Sequence, residues 1–295
     1  MAENAPSCLR REVTMREKDQ QVLVALAQAR DEHEELAGWL DFYRALAAVQ
    51  SEAKAQIATT VEVHDEIAMR QRLEGGVPQL TFDPWTAEGR QLTIEPTTFA
   101  HLVKDIMGIL MHHNPDWAEM SEAIEEPTAE ELVKLAKEAF DRKAQSAQTE
   151  LSASGLMTLA VEFALVPYLE RAAETLMPRL DQSLWQRGYC PLCGATPDFA
   201  LLDEESGARY LMCSRCNSQW RFVRLRCPFC DTTDHTKLQY YLSDDEVYRL
   251  YVCERCKHYL KTIDLRKVRK KVLLPVERIV TVAMDVAAQE KGYVV

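Results

Sequence analysis

The sequence predicts an α+β protein, in which an acidic all-α N-terminal domain is followed by two tandem small β domains of the rubredoxin or zinc-ribbon kind and a C-terminal helix. Three observations carry that expectation. Eight of the nine cysteines lie between residues 190 and 256 as four Cys-x-x-Cys pairs. The segment that holds them repeats, and the residues before it read in helical periodicity. The expected division is 1–186 for the helical domain, 187–226 for the first four-cysteine domain and 227–295 for the second with its closing helix.

Residues 1 to about 17 read as a polar tail, with the lone Cys8 as a bystander, and they lack the apolar core of a secretory signal. From Arg16 to about Leu73 the pattern is helical. Leu36, Leu40, Tyr43 and Ala47 share one face, with Trp39, Phe42 and Leu46 widening it, while Asp31, Glu32, Glu34 and Glu35 face solvent. Gly75-Gly76-Val77-Pro78 stops that region, and Phe82-Asp83-Pro84-Trp85 continues as a loop pinned by its aromatics.

Glu95-Pro96-Thr97-Thr98 opens a helix through Phe99, Leu102, Val103, Ile106 and Leu110, ending at His112-His113. Neighbouring histidines on a helix point apart and have no partner at ligand spacing, so they read as a helix end near the negative pole of the dipole. Asn114-Pro115 reads as a cap with proline at the first helical position. Thr128 and Glu131 fit a capping box before Leu132, Leu135 and Phe140. A buried helix through Leu156, Leu159, Phe163, Val166 and Leu169 follows, with a kink expected near Pro167. It is too short to span a bilayer.

Gln182 to Gly188 links this part to the cysteine pairs Cys190/Cys193, Cys213/Cys216, Cys227/Cys230 and Cys253/Cys256. A Cys-x-x-Cys turn aims two thiolates at one point, and two facing turns complete a tetrahedral site, so four turns supply two sites. The run CPLCGATPDFALLDEESGARYLMCSRC is echoed by CPFCDTTDHTKLQYYLSDDEVYRLYVCERC, with 19 and 22 residues between the pairs, the length of a β-hairpin between two knuckles. A sequential grouping of ligands follows from the repeat, while an interleaved one would use the same eight residues. After the second cysteines stand Gly194, Asn217, Asp231 and Lys257, at positions where a knuckle often needs a left-handed backbone. Residues 209–212, 220–225, 238–242 and 248–252 have the composition of half-exposed strands. Pro275 to Gly292 reads as one terminal helix with Val276, Ile279, Ala283 and Val286 on its apolar face. Disulfides are disfavoured in a chain of 295 residues without a secretory signal, and thioredoxin-like exchange would need one exposed pair rather than matched quartets.

Charge divides along the chain. Residues 187–295 hold 18 Lys and Arg against 14 Asp and Glu, whereas the first 186 hold 17 against 32. Eight thiolates and two divalent ions would bring the C-terminal part to about neutral. Its basicity is therefore largely a counter-charge for its own metal sites, which disfavours nucleic-acid binding by Arg266 to Lys271 and the arginines at 221, 224 and 226, as does the net charge of −11. The chain has no phosphate-binding glycine loop, nucleophile elbow or HExxH helix.

The stretches GYCPLCGATPDF, RYLMCSRCNSQWRFVRLRCPFC and YVCERCKHYLKTIDLRK, with the closing TVAMDVAAQEKGY, closely resemble the formate dehydrogenase accessory protein family, FdhE. The match runs from Gly188 to Tyr293 and includes Trp220, the Tyr259-Leu260-Lys261 triplet and Asp285. The resemblance implies a cytoplasmic, non-enzymatic maturation factor, a chaperone that binds the catalytic, molybdenum-containing subunit of a formate dehydrogenase and is needed for its activity. It implies two mononuclear rubredoxin-like sites, with iron favoured and zinc the alternative. Cys190, Cys193, Cys213 and Cys216 would ligate one ion, and Cys227, Cys230, Cys253 and Cys256 the other. An electron carrier or redox sensor is the alternative function.

Overall fold

The structure is a computed structural model that describes residues 7–57, 66–82, 90–121, 126–142, 152–269 and 271–294. Trp85 lies outside them, as does the side chain of Cys8. The first helix starts within the expected polar tail: α1 covers Ser7–Glu32 and joins α2, Ala37–Gln56, through a short 3-10 turn. Leu40, Phe42 and Leu46 point inward, whereas Trp39 is 55% exposed and rests on Tyr43, so it is not part of the core face. Next come α3 (Glu66–Gly75) and two short parallel strands, β1 (Leu80–Thr81) and β2 (Arg90–Gln91). Phe82 packs against Phe140, as a loop pinned by an aromatic should.

Helix α4 (Pro96–His113) has Glu95 as its N-cap, accepting from the N–H groups of Thr97 and Thr98, and ends at the histidine pair. Asn114 Oδ1 accepts from Asp116 N, which opens α5 (Pro115–Ser121). In α6 (Ala129–Asp141) the capping box is complete: Glu131 N donates to Thr128 Oγ1 at 3.3 Å and Thr128 N to Glu131 Oε2 at 2.8 Å. Thr128→Ala is expected to cost about 1 kcal/mol in denaturant unfolding. Helix α7 (Ala153–Leu176) runs through Pro167 unbroken and is lined on its buried side by Val161, Leu165 and Leu169. No described helix is long and apolar enough to cross a membrane.

Six strands then form one sheet. They are β3 (Pro197–Leu202), β4 (Arg209–Cys213), β5 (Gln219–Phe222), β6 (Leu238–Leu242), β7 (Tyr248–Cys253) and β8 (Tyr259–Asp264), in the order β5-β4-β3-β8-β7-β6. Each repeat is a three-stranded antiparallel ribbon, and the two join through parallel pairing of β3 with β8, Phe199 opposite Lys261 and Leu202 opposite Asp264. The strand expected at 220–225 stops at Phe222, leaving Val223 and Leu225 exposed.

The expected single terminal helix is two: α8 (Leu274–Val280) and α9 (Val282–Glu290). They part at Thr281, whose hydroxyl donates to Glu277 O at 2.7 Å and so competes with the helical ladder. The break turns Ala288 and Tyr293 inward against Leu250, Val252 and Tyr259, while Val286 stays exposed. Helix α9 is held to β8 by Lys261, whose Nζ lies 2.6 Å from Asp285 Oδ2 and donates to Arg278 O at 2.8 Å; Tyr259 OH donates to Asp285 Oδ1. Lys261→Met leaves a partly buried carboxylate unpaired and is expected to cost about 3 kcal/mol in unfolding free energy.

Asp264 is buried between Arg266 and Arg249, each 2.7 Å away, and the hydrogen bonds from Arg266 and then Arg249 hold its pKa at about 2. Its contribution to stability is complete above the ordinary carboxylate value of 3.8 and is lost as pH falls toward about 2. Asp264→Asn should therefore flatten the acid limb of the stability curve.

Candidate metal centres

The four Cys-x-x-Cys turns share one local design. Cys190, Cys213, Cys227 and Cys253 each donate their backbone N–H to the carbonyl five residues on, at 2.8 to 2.9 Å. The chain can reverse so tightly because the residue after each second cysteine is left-handed: φ is 78° at Gly194, 54° at Asn217, 64° at Asp231 and 60° at Lys257. These are the four positions where the sequence asked for that conformation, and Lys257 adopts it despite its Cβ.

The turns meet in sequential pairs. Cys190, Cys193, Cys213 and Cys216 form one group and Cys227, Cys230, Cys253 and Cys256 the other, with the sulfurs of each group within 4.8 Å of one another. In the first, Sγ separations are 3.6 Å for Cys190 with Cys216 and 3.4 Å for Cys193 with Cys213. In the second, Cys227 with Cys256 and Cys230 with Cys253 are each 3.7 Å apart. A disulfide needs about 2.05 Å. A tetrahedron with metal–sulfur bonds of about 2.3 Å has edges of about 3.8 Å, so both groups fit one ion each. Among the described residues no other cluster of His, Cys, Asp or Glu reaches ligand spacing, and His112 and His113 stay at the end of α4.

Backbone N–H groups point at the sulfurs, as thiolate ligands require. Leu192 N lies 3.4 Å from Cys190 Sγ and Arg215 N 3.4 Å from Cys213 Sγ. Cys227 faces the N–H groups of Cys230 and Phe229, and Cys253 those of Cys256 and Arg255. Burial opposes ionisation, pushing the Cys190 and Cys216 thiols up and Cys227 to about 11. Four sulfurs so close and so dry need a cation at their centre to ionise together.

The two groups differ in setting. The first is buried throughout and belongs to the same apolar core as Phe140, Leu165 and Ala172 of the helical part. Gln79 N and Leu80 N donate to the carbonyls of Pro191 and Leu192, and the Arg215 guanidinium reaches the carbonyls of Phe140 and Arg142 at 3.0 Å each. The connecting segment 182–188 is itself anchored: Trp185 is 1% exposed, and Trp220 Nε1 donates to Arg187 O. The second group is shallower, with Cys230 and Cys256 half-buried beside the stacked rings of Phe229 and His258.

A helical body fused to a six-stranded sheet of two ribbons, each with a four-cysteine group that could hold one ion, defines a protein built on a duplicated tetrathiolate knuckle. Comparison with known proteins shows what the chain is similar to. Residues 189–224 match the model described as FdhE, central domain. The Protein FdhE homolog of Aquifex aeolicus (strain VF5) is 33% identical over 148 residues, 48% of this chain and 52% of that protein. Protein FdhE of Escherichia coli O127:H6 is 32% identical over 112 residues, 37% of this chain and 35% of that one. The crystal structure of the FdhE protein from Pseudomonas aeruginosa shares the fold, with a TM-score of 0.55 at 21% identity over 94% of this chain and 92% of that one. The chain spans about half or less of the length of the curated relatives it matches, and its likeness is to FdhE proteins.

Proposed function

We propose that the chain is a cytoplasmic maturation factor, not an enzyme, which binds the catalytic subunit of a molybdenum-dependent formate dehydrogenase and is needed for that enzyme's activity. The observation that carries this reading is the pair of four-cysteine groups at metal–thiolate spacing in a chain similar to FdhE proteins. Cys190, Cys193, Cys213 and Cys216 would hold one ion and Cys227, Cys230, Cys253 and Cys256 the other, with iron favoured by the family resemblance. Four protein sulfurs fill a tetrahedral ion's coordination, so no position is left for a substrate or an activated water. The ions then serve to hold the sheet in shape, since two small ribbons bury too little apolar area to be secure without them.

A redox step at the second group is the alternative, favoured by the half-exposure of Cys230 and Cys256, which brings that site within reach of an electron-transfer partner. The test is genetic and biochemical together. Cells lacking the chain should lose formate dehydrogenase activity, and the wild-type chain should restore it and co-purify with the catalytic subunit. Full activity without the chain, or no association with the subunit, would contradict the reading. Replacing both ions with zinc separates the alternatives, because a zinc-loaded chain that still restores activity has no redox step.

A further inference from the structure

The outer flank of the second ribbon is open. No described strand pairs with the outer side of β6, whereas β5 at the opposite end buries Trp220 and Phe222 and packs on the turn at 182–184. Natural sheets protect such edges with Lys, Pro or a bulge. The β6 sequence Leu238-Gln239-Tyr240-Tyr241-Leu242 has none of these, its register with β7 is unbroken, and Tyr240, Tyr241 and Leu242 are 43–50% exposed. Beside it the segment joining the ribbons turns Val223 and Leu225 outward.

Between that segment and the sheet lies a cavity of about 150 Å³, lined by Arg209, Arg224, Leu225, Leu238, Tyr240 and Tyr251 among others. Arg209 is 2% exposed; its Nη2 donates to the carbonyls of Val223 and Arg226, but its Nε has no partner. Among the described residues neither Arg209 nor the exposed Arg224 forms an ion pair with a carboxylate; Arg226 takes Asp231 and Arg249 takes Asp264. A bare, uncharged strand edge next to two guanidinium groups that no described carboxylate neutralises matches an extended chain with acidic side chains.

We propose that the outer edge of β6 and this cavity form a docking groove for an extended acidic segment of a protein partner. The segment adds to β6 as a further strand. Because its side chains alternate, an Asp or Glu on one face meets Arg209 and Arg224 while aliphatic neighbours two residues away cover Tyr240, Leu242 and Leu225. This inference rests on the reading of the chain as a protein that binds another.

The first test uses the metal-loaded full chain and a fluorescein-labelled peptide repeating Val-Thr-Glu-Thr, which puts Val and Glu in turn on one face, with a Val-Thr-Lys-Thr repeat as control, read by fluorescence anisotropy. The acidic peptide should bind saturably, more weakly as salt rises, and about tenfold more weakly to Arg224→Glu and Leu242→Asp. The basic peptide should not bind. Absence of saturable binding, equal binding of the two peptides, or unchanged affinity in both variants would overturn the proposal. Loss of the second ion from Arg224→Glu would make that arginine a counter-charge of the thiolates and overturn its role in docking. A dimer that Leu242→Asp dissolves would place a second copy on β6 and overturn the acidic partner. Equal capture of the formate dehydrogenase subunit by the wild type and both variants would remove the groove and keep the proposed function. Peptide binding as expected with no subunit capture would do the reverse.

Discussion

Cys213→Ala is expected to empty the first metal group and to destabilise the helical part with it. That follows from where the group sits. Its four sulfurs share one core with Phe140, Leu165 and Ala172, and the loop that carries Cys213 and Cys216 is tied to α6 through Arg215. Structural ions bound by four ligands contribute on the order of 10 kcal/mol, comparable with the whole stability of a domain. Losing one ligand should therefore lower the thermal transition of the helices by tens of degrees or leave the chain insoluble. Cys253→Ala makes the contrast. The second group lies at the shallower end of the sheet, so this variant should lose one ion and open its own ribbon while the helical circular dichroism and the first ion persist. Ion content and thermal melts of the two variants check the pair. Identical losses, with the helices unaffected in both, would show that the first group is not built into the helical core.

Gly188→Ala should be nearly as damaging, for a reason no composition reveals. A Cβ built at Gly188 would stand 1.8 Å from Pro228 O and 2.6 Å from its carbonyl carbon. Those atoms are backbone and belong to the first knuckle of the second ribbon, so no rotamer change relieves the contact. The two ribbons must separate at that point or the knuckle must deform. A loss of about 3 kcal/mol or more is expected in chemical unfolding, with the second ion lost first. A loss under about 1 kcal/mol would mean that the ribbons do not meet as closely as Gly188 and Pro228 imply.

Much of the architecture of the cysteine turns was legible because its signals are local. The Cys-x-x-Cys spacing sets two sulfurs on one turn, and the residue after it must bend left-handed, so Gly194, Asn217, Asp231 and Lys257 could be read one at a time. The same holds for the cap at Thr128 and the helix end at His113. What the sequence hid was long-range. Strands β3 and β8 pair within their own ribbons with β4 and β7, but their parallel pairing with each other, which makes one sheet of the two ribbons, spans more than fifty residues of chain and has no local signal. Trp39 matched the helical stripe by spacing but falls at its margin, where packing rather than period decides. Thr281 divides a run of good helical periodicity because its own hydroxyl competes for the carbonyls. The burial of the first cysteine group inside a helical core likewise has no signature in a motif, since it depends on what the rest of the chain brings to it.

Everything proposed above depends on these eight cysteines holding two ions. The direct measurement is metal content per chain, with a visible spectrum, on protein purified without oxygen, together with a count of free thiols after the ions are removed. Two ions per chain and eight thiols in addition to Cys8 are expected, with thiolate-to-metal absorption in the visible if the ions are iron and none if they are zinc. A chain with no bound metal, or with its cysteines paired in disulfides, would contradict it.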